Sequence, residues 1–213
     1  MVTESPQRFL NTMVAAEVVP LWDYYRSRVN PGFWCLMLDA WDCTRLYRLV
    51  RDCPINHILE LGTGSGLGTA VMAQALYDAH RPGLVETMEE YYGLAQSAAR
   101  RLPQHLRPLV LGRTVSAGVM DTLNGIPVYG YQAPPVTPEI DLLVIDGPCV
   151  TQDELHRGAV KGDLLWLLAR LRPGGLVYFD GNRDTQHWLL PQLPQLHLLE
   201  HSANYSLLEK EGS

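Results

Sequence analysis

Residues 57–68, HILELGTGSGLG, decide the fold of this chain. The stretch starts as a short apolar run and continues with four glycines at every second position, and a helix-forming segment, 69–77, follows it. A buried strand, a tight turn and a helix N-terminus in this order form a pocket for a nucleotide-sized ligand. Glycine suits such a turn because the backbone takes positive φ values and approaches the ligand closely.

The spacing of these glycines separates the candidate ligands. The dinucleotide-binding pattern G-x-G-x-x-G/A would place Leu67 or Thr69 at its last position, and neither residue is glycine or alanine. The turn also lacks the lysine of a nucleoside-triphosphate-binding loop. The pattern from Glu60 to Gly66, an acid followed by three alternating glycines, resembles motif I of the class I S-adenosyl-L-methionine (SAM) methyltransferases.

This resemblance implies a doubly wound, Rossmann-like α/β fold. Its sheet would have seven strands, mostly parallel, with an antiparallel terminal hairpin and helices at the amino terminus. In that family the glycine turn passes beside the methionine moiety and the ribose of SAM. The resemblance therefore implies that the SAM-binding residues of the turn are Glu60, Gly62, Thr63, Gly64, Ser65 and Gly66.

Length and composition set limits on the function. A chain of 213 residues with 46% hydrophobic residues has enough material for one domain with a sizeable core. The net charge of −6 disfavours non-specific nucleic-acid binding. No membrane span or secretory signal is recognisable, and we expect a cytoplasmic protein without a membrane partner. The four cysteines form no C-x-x-C pair, so neither zinc nor a disulfide framework is predicted.

The residues before the first core strand are predicted to form a helical lid or cap, 1–54, on a SAM-binding core, 55–213. Helical periodicity over 3–19 predicts a helix that ends at Pro20, and the same periodicity predicts a second helix over 33–51. In small-molecule methyltransferases such helices cover the SAM and substrate pocket. The aromatic residues that would line this lid are Trp22, Tyr24, Tyr25 and Trp34.

A second strand is predicted over 83–90, followed by a helix over 91–102. The family pattern places Glu89 at the position whose carboxylate accepts both ribose hydroxyls of SAM, a role that suits two neighbouring donors. Glu86 and Glu90 are the competing choices, because strand register is uncertain by a few residues.

The middle of the chain is predicted to contain a third strand at 109–111, a short helix over 116–123, and a hairpin or loop over 124–131. This is an insertion relative to a minimal βα unit, and loops of this length are more often functional than idle. Tyr129 and Tyr131 are candidate substrate contacts in it.

Two further apolar runs end in aspartate. The first, 141–146, ends in Asp146-Gly147-Pro148, and the second, 176–180, ends in Asp180. A helix is predicted between them, over 152–171. Apolar strands that alternate with helices are typical of a parallel sheet covered on both faces. Residues 196–200 and 205–208 match the terminal hairpin of the family.

The ends of these strands carry the predicted chemistry. The chain resembles small-molecule O-methyltransferases, including catechol-type enzymes, which hold Mg²⁺ with an Asp ending strand four and an Asp-Asn pair ending strand five. Asp146 and Asp180 match the aspartates, whereas Gly181 follows Asp180 and Asn182 comes one position later. A Mg²⁺ site made of Asp146, Asp180 and Asn182 is therefore a candidate, since Mg²⁺ accepts few protein ligands.

A second resemblance is to bacterial methyltransferases with Asp-Gly-Pro after strand four, a downstream Arg, and an acidic strand-five end followed by Arg. Asp146-Gly147-Pro148, Arg157 and Arg183 match it. There the aspartates orient SAM or substrate without metal, and a base would be His156, His187 or an aspartate, because histidine titrates near neutrality. The candidate catalytic residues are Asp146, His156 and Asp180, and Asp146 is also a candidate SAM contact.

The sequence thus predicts SAM-dependent methyl transfer to a small-molecule acceptor, most simply a hydroxyl group. Two other functions stay open at this point: a nucleotide-dependent oxidoreductase on a similar sheet, and a non-catalytic methyltransferase-like subunit. The acceptor is not identified by any motif. The oligomeric state is open, with a homodimer as one candidate.

Overall fold

The computed structural model describes residues 14–32, 37–149, 159–181, 183–202 and 205–212. The helices are α1 (Val18–Arg26), α2 (Ala40–Asp52), α3 (Leu67–Asp78), α4 (Tyr92–Arg101), α5 (Asp163–Leu167) and α6 (Arg183–Leu189), with 3₁₀ turns at Gln104–Leu109 and Leu190–Gln192. The strands are β1 (His57–Leu61), β2 (Leu84–Glu89), β3 (Val110–Thr114), β4 (Ala117–Leu123), β5 (Ile126–Tyr131), β6 (Ile140–Ile145), β7 (Val160–Lys161), β8 (Leu171–Asp180), β9 (Leu196–His201) and β10 (Tyr205–Lys210). Across these described ranges, no helix combines the length and apolar character of a membrane span.

The main sheet has seven strands in the order β3-β2-β1-β6-β8-β10-β9. The first five strands of this order, β3, β2, β1, β6 and β8, run parallel. The last two, β10 and β9, are antiparallel to their neighbours. This arrangement confirms the predicted Rossmann-like sheet with a terminal hairpin. Leu61 of β1 lies opposite Met88 of β2 and Ile145 of β6, and Ile145 lies opposite Phe179 of β8. The carboxyl ends of four adjacent strands are therefore level with one another.

Apolar side chains cover both faces of this sheet. Successive residues of β1 point to opposite faces. Ile58 packs in a cluster with α1, α2 and α3, and Leu59 packs in a second cluster with α5 and the end of α6. Leu142 and Leu143 of β6 divide in the same way. Burial on both faces explains why these strands are continuous apolar runs.

The segment predicted as a helix over 116–123 is instead β4. It pairs antiparallel with β5 through a turn at Asn124 and Gly125, where φ is 53° and 80°. Positive φ at both central residues is the geometry that an Asn-Gly hairpin turn requires. Because this turn sets the register from Leu123 and Ile126 onwards, the preceding segment becomes the partner strand.

The helix predicted over 152–171 is also wrong in its described part, 159–171. This part contains β7, which pairs parallel with β5 in a three-stranded sheet, then the short α5 and the start of β8. A Cβ on Gly162 would lie 2.0 Å from Cγ1 of Val128, so only glycine allows β7 to approach β5 this closely. Asp163 then fixes α5, because its Oδ1 accepts the Tyr131 N–H at 2.9 Å.

The amino-terminal helices differ from the prediction in their limits. Pro20 does not end a helix but lies in the first turn of α1, where a missing N–H costs little. Most of the helix predicted over 3–19 lies outside the described residues. The second helix begins at Ala40, because the Asp39 side chain accepts the N–H groups of Trp41 and Asp42, each at 2.8 Å.

A buried hydrogen bond joins α2 to the main sheet. The Tyr178 hydroxyl of β8 donates to Oδ1 of Asp42 at 2.8 Å, and both residues are buried. Burial raises the pKa of the Asp42 carboxyl to about 6, and the bond from Tyr178 opposes this shift. The Tyr178 ring also stacks on Tyr205, with ring centroids 5.1 Å apart. This contact anchors α2 next to the end of β8.

We expect Tyr178→Phe to reduce the free energy of unfolding by about 1–3 kcal/mol, because it leaves a buried carboxyl oxygen without its donor while keeping the ring. Urea denaturation measures this loss. Tyr205→Phe is the matched control, since its hydroxyl donates to the half-buried Glu200. Equal losses in the two variants would contradict a special contribution of the Asp42 bond.

Candidate functional site

The turn after β1 is built from backbone conformations that glycine adopts most easily. Gly62, Gly64 and Gly66 have φ values of 95°, 50° and 86°, and Gly66 caps the N-terminus of α3. The N–H groups of Gly62 and Thr63 donate to the Met88 carbonyl of β2 at 2.9 and 3.2 Å. The turn is therefore held against the end of the neighbouring strand.

Backbone atoms alone make the contact between this turn and the end of β6. A Cβ on Gly62 would lie 2.4 Å from the Gly147 nitrogen, and a Cβ on Gly147 would lie 2.6 Å from Cα of Gly62. The Asp146 N–H donates to the Leu61 carbonyl at 2.9 Å. Glycine at both positions thus allows the two turns to touch through their backbones, and this brings Asp146 next to the glycine turn.

Glu89 ends β2 and faces the glycine turn. Its Oε2 accepts the Gly64 N–H at 2.9 Å, and its Oε1 accepts the Tyr91 N–H at 3.0 Å. The side chain is buried, and burial raises the pKa of its carboxyl while the backbone N–H groups of Tyr91, Gly64 and Glu90 oppose the shift. Each oxygen keeps a lone pair for a further donor.

The competing carboxylates of β2 have other partners. Glu86 is buried in the middle of β2, where it accepts from Thr137 and pairs with Arg113 of β3 at 2.8 Å. Glu90 accepts the Tyr131 hydroxyl at 3.1 Å and the Cys149 N–H at 2.8 Å. Glu90 therefore lies beside Glu89 at the strand ends, whereas Glu86 does not.

Glu60 lies below the turn and not in an open cleft. It is 3% exposed and accepts the Thr69 hydroxyl of α3. A Cβ on Gly68 would lie 2.6 Å from its Oε1, so the carboxyl packs directly against the helix backbone. Burial raises the pKa of Glu60 to about 8, and the hydroxyls of Thr69 and Thr87 oppose this shift.

Asp146 and Asp180 end the neighbouring strands β6 and β8. Burial raises the pKa of Asp146 and raises that of Asp180 to about 7, and Asp146 adds to the shift of Asp180. The Lys161 ammonium opposes both shifts. It reaches this place from β7 and donates to the backbone carbonyl of Asp146. Burial lowers the pKa of Lys161, and Asp146 is the first of the acidic groups that oppose the change.

The described residues contain two of the three predicted Mg²⁺ ligands, Asp146 and Asp180. Asn182 lies outside the described residues, and nowhere in the described ranges do three His, Cys, Asp or Glu side chains form a group that would hold a metal ion. Among the described side chains, the Lys161 ammonium is a cation whose charge acts on both Asp146 and Asp180.

Most of the other predicted site residues that the structure describes do not lie at the cleft. His156, Arg157 and Trp34 lie outside the described residues, and His187 is exposed on α6. Tyr129 and Tyr131 are buried in β5 and do not form an exposed loop. Among the aromatic residues of the predicted lid, Tyr25 is fully buried in the core, and Trp22 and Tyr24 are half-buried against it. Tyr25 therefore does not line an open pocket.

The space at the strand ends consists of a narrow cleft and a groove. The cleft measures about 60 Å³ and is lined by Gly62, Gly64, Glu89, Glu90, Tyr91, Leu94, Asp146, Gly147 and Cys149. A groove of about 810 Å³ shares Glu90, Tyr91 and Leu94 with it. Drug-sized ligands need about 300–1,000 Å³, so the cleft alone is too small and forms the inner end of the groove. A further cavity of about 570 Å³ is lined by residues of α4 and β3 together with Thr63 and Gly66 of the turn, and it contains none of these carboxylates.

Two site residues had no signal in the sequence analysis. Lys161 fell within a predicted helix, and its position depends on the pairing of β7 with β5. Arg101 lines the groove and donates to the Ser65 carbonyl at 2.8 Å, but it belongs to the last turn of α4, where arginine is common. Both positions follow from contacts distant in sequence.

A family model described as a methyltransferase domain matches residues 59–181. The match covers more than half of the chain and contains the glycine turn, the ends of β2 and β6, and Asp180. The chain belongs to this methyltransferase domain family. Membership decides against the oxidoreductase alternative. A comparison with curated protein sequences found no significant match.

Solved structures of methyltransferases are similar over nearly the whole chain. The O-methyltransferase TomG from Streptomyces achromogenes, involved in tomaymycin synthesis and solved with SAM, is 19% identical with a TM-score of 0.62, covering 97% of this chain and 95% of that chain. The O-methyltransferase from Bacillus cereus, in complex with S-adenosylhomocysteine (SAH), is 14% identical with a TM-score of 0.61 and coverage of 95% and 99%. The SAH-bound Podospora anserina methyltransferase PaMTH1 is 13% identical with a TM-score of 0.61 and coverage of 99% and 98%. These similarities show the fold of class I SAM-dependent methyltransferases.

We expect Glu60→Gln to flatten the pH dependence of stability. With the folded pKa of Glu60 at about 8 and its ordinary value at 4.5, the folded state holds a proton that the unfolded state has released. The free energy of unfolding therefore falls as the pH rises through this window, by roughly 1 kcal/mol per pH unit, and the amide removes this contribution. Urea denaturation between about pH 5 and 8 measures the slope.

Glu86→Gln is the control for this prediction. Hydrogen bonds from Thr137, Val136 and Arg113 lower the pKa of Glu86 against the effect of burial. The stability that ionised Glu86 contributes is therefore lost only at acidic pH. The control variant should be less stable but should keep the wild-type slope. A Glu60→Gln variant that also keeps this slope would show that Glu60 is ionised in the folded protein.

Proposed function

We propose that this protein transfers a methyl group from SAM to a hydroxyl group of a small-molecule acceptor. The single observation that carries the proposal is the carboxylate of Glu89, which is fixed by the Gly64 and Tyr91 N–H groups at the rim of the glycine turn. Membership of the methyltransferase domain family supports SAM as the methyl donor.

In the proposed complex, Glu89 accepts the two ribose hydroxyls with its remaining lone pairs. The residues of the turn, Gly62, Thr63, Gly64, Ser65 and Gly66, contact the methionine moiety and the ribose through their backbone. We assign the methionine carboxylate to Arg101, which donates to the Ser65 carbonyl and lines the groove. Glu60 supports the turn from below through Thr69 and is held within the protein.

The amino-terminal helices complete the proposed groove. Arg28, Val29 and Asn30, which follow α1, form part of its wall. This supports the predicted lid or cap over 1–54, although its aromatic lining does not include Tyr25. The helices would exclude water from the reacting atoms, as transfer from SAM requires.

The chemistry needs alignment and removal of one proton. Bound SAM supplies an activated methyl group that passes to the acceptor oxygen while the S–C bond breaks and its electron pair stays on sulfur, giving SAH. We assign the acceptance of the hydroxyl proton to Asp180, because a pKa of about 7 suits a base at neutral pH. Asp146 orients the acceptor or SAM beside it, and His156 stays a predicted alternative base.

The choice of oxygen as acceptor rests on the solved structures. Two of the similar proteins are described as O-methyltransferases, and one of these is involved in the synthesis of a small molecule, tomaymycin. A small-molecule acceptor also agrees with the net charge of −6, which disfavours nucleic acid. The cytoplasmic location, the absence of a membrane partner and a homodimer stay predictions, as does Mg²⁺ assistance, which the described residues do not support.

We expect Glu89→Gln to weaken the binding of SAM and SAH about 10- to 100-fold, because each hydrogen bond to a charged group contributes about 1.5–3 kcal/mol. Isothermal titration calorimetry measures the dissociation constants. Glu139→Gln is the matched control, since this exposed carboxylate lies before β6, at the opposite edge of the sheet. Equal affinities of Glu89→Gln and wild type would refute the assigned role.

Turnover tests the reaction itself. The purified protein is incubated with methyl-labelled SAM and a panel of phenols, catechols and aliphatic alcohols, and the methyl ether and SAH are quantified. We expect equal amounts of both products for at least one acceptor class. A protein that binds SAM without turnover on any acceptor class would favour the non-catalytic subunit instead.

A further inference from the structure

One lysine lies beside the strand-end carboxylates. The chain has fifteen arginines but only two lysines, Lys161 and Lys210. Lys161 is the one whose ammonium donates to the Asp146 carbonyl, and its charge interacts with Asp146, Glu90 and Asp180. A lysine ammonium is a compact point charge on a flexible stem, and it fits between carboxylates where a planar guanidinium would need more space.

The backbone of Lys161 is fixed from both sides. Lys161 lies opposite Tyr129 in the pairing of β7 with β5, and the next residue, Gly162, donates its N–H to the Tyr129 carbonyl at 2.9 Å. The Lys161 N–H donates to the hydroxyl of Thr185 in α6 at 3.4 Å. The inserted three-stranded sheet therefore delivers the ammonium to a defined place at the end of β6.

The carboxylates at this place act on one another, and the charge of Asp146 raises the pKa of Asp180. Asp146 and Asp180 end adjacent strands, and Asp42 adds to the negative potential at Asp180. Carboxylates that share a site repel one another, and a cation between them removes the penalty. In an enzyme that activates a hydroxyl, a divalent ion can fill this role. In this chain the described cation at the ends of β6 and β8 is the side chain of Lys161, which is part of the protein.

We propose that the Lys161 ammonium takes the place of a divalent cation: it neutralises the strand-end carboxylates and holds the acceptor oxygen by direct charge contact, so that methyl transfer proceeds without a metal. The inference rests on the proposed methyltransferase function and adds a catalytic residue to it. Like other preorganised donors at a developing oxyanion, the ammonium stabilises the negative charge that the acceptor oxygen gains as its proton leaves.

Binding of Mn²⁺ to the SAH-loaded protein tests the first half of the proposal without any acceptor. Electron paramagnetic resonance measures free Mn²⁺ during titration of wild type, Lys161→Ala and Lys210→Ala. We expect wild type and Lys210→Ala to leave Mn²⁺ free. Lys161→Ala should bind about one ion per chain, because it leaves the carboxylates without their counter-charge. Binding of one Mn²⁺ by wild type, or no binding by Lys161→Ala, would overturn the proposal.

Kinetics on the acceptor found in the turnover panel test the second half. We expect Lys161→Met to lower kcat/KM at least about 100-fold while the dissociation constant of SAM stays unchanged, and Lys161→Arg to recover part of the loss because it keeps the charge. Wild-type rates should be insensitive to EDTA. Full activity of Lys161→Met, or loss of wild-type activity in EDTA with recovery in Mg²⁺, would overturn the inference.

Lys210→Met is the matched control, because the Lys210 ammonium also donates to backbone carbonyls, those of Leu168 and Leu171, away from the strand-end carboxylates. It should keep wild-type kcat and KM even if it is less stable. These measurements distinguish a failure of the methyltransferase function from a failure of the role of Lys161. A protein without affinity for SAM fails as a methyltransferase, whereas one that methylates only with Mg²⁺ fails in the role of Lys161 alone.

Discussion

The structure depends on a contact between two glycines. The turns after β1 and β6 meet at Gly62 and Gly147, where an added Cβ would lie 2.4 Å from the opposite backbone. No side chain can be accommodated there without moving one strand end away from the other. Because these two strands lie in the middle of the sheet, their spacing also sets the positions of β2 and β8 on either side. The cleft with its carboxylates exists because this contact is made by backbone alone.

The same packing concentrates negative charge in a poorly hydrated place. Glu89, Asp146 and Asp180 come from different strands, and burial raises the pKa of each of their carboxyls. A fold selected for stability alone would not place three such groups together, so the arrangement is itself an indication of function. The structure offsets part of this cost with backbone donors at Glu89 and with the Lys161 ammonium at Asp146 and Asp180.

The sequence was sufficient for the parts of the fold that depend on local patterns. The apolar runs, the glycines after Leu61 and the acids that end the strands are signals within short segments, and they predicted the main sheet and the positions of Glu89, Asp146 and Asp180. The predicted helices at 116–123 and 152–171 failed, because β4 and β7 exist only through pairing with β5. Their own residues show no strand alternation strong enough to reveal this.

The candidate site shows the same limit. Asp42 and Lys161 reach the ends of β6 and β8 from elements far apart in the chain, one by a bond to Tyr178 and the other through the three-stranded sheet. Each had an ordinary local interpretation as a helix residue. Such contacts form only in the tertiary structure. They cannot be predicted from the periodicity of apolar residues or from the spacing of motif residues.

The separation of the two sheets affects which substitutions the site can accept. The three-stranded sheet shares no strand with the seven-stranded sheet, so the residues that shape the glycine turn and those that deliver Lys161 are encoded in separate segments. Tyr131 is a link between them, because its hydroxyl donates to the Met88 carbonyl that also holds the turn after β1. Substitutions elsewhere in the hairpin at 117–131 act on β7 and Lys161 and leave this link in place. Under the proposed role of Lys161, such substitutions would alter the acceptor side of the site and leave unchanged the glycine turn that would hold the methyl donor.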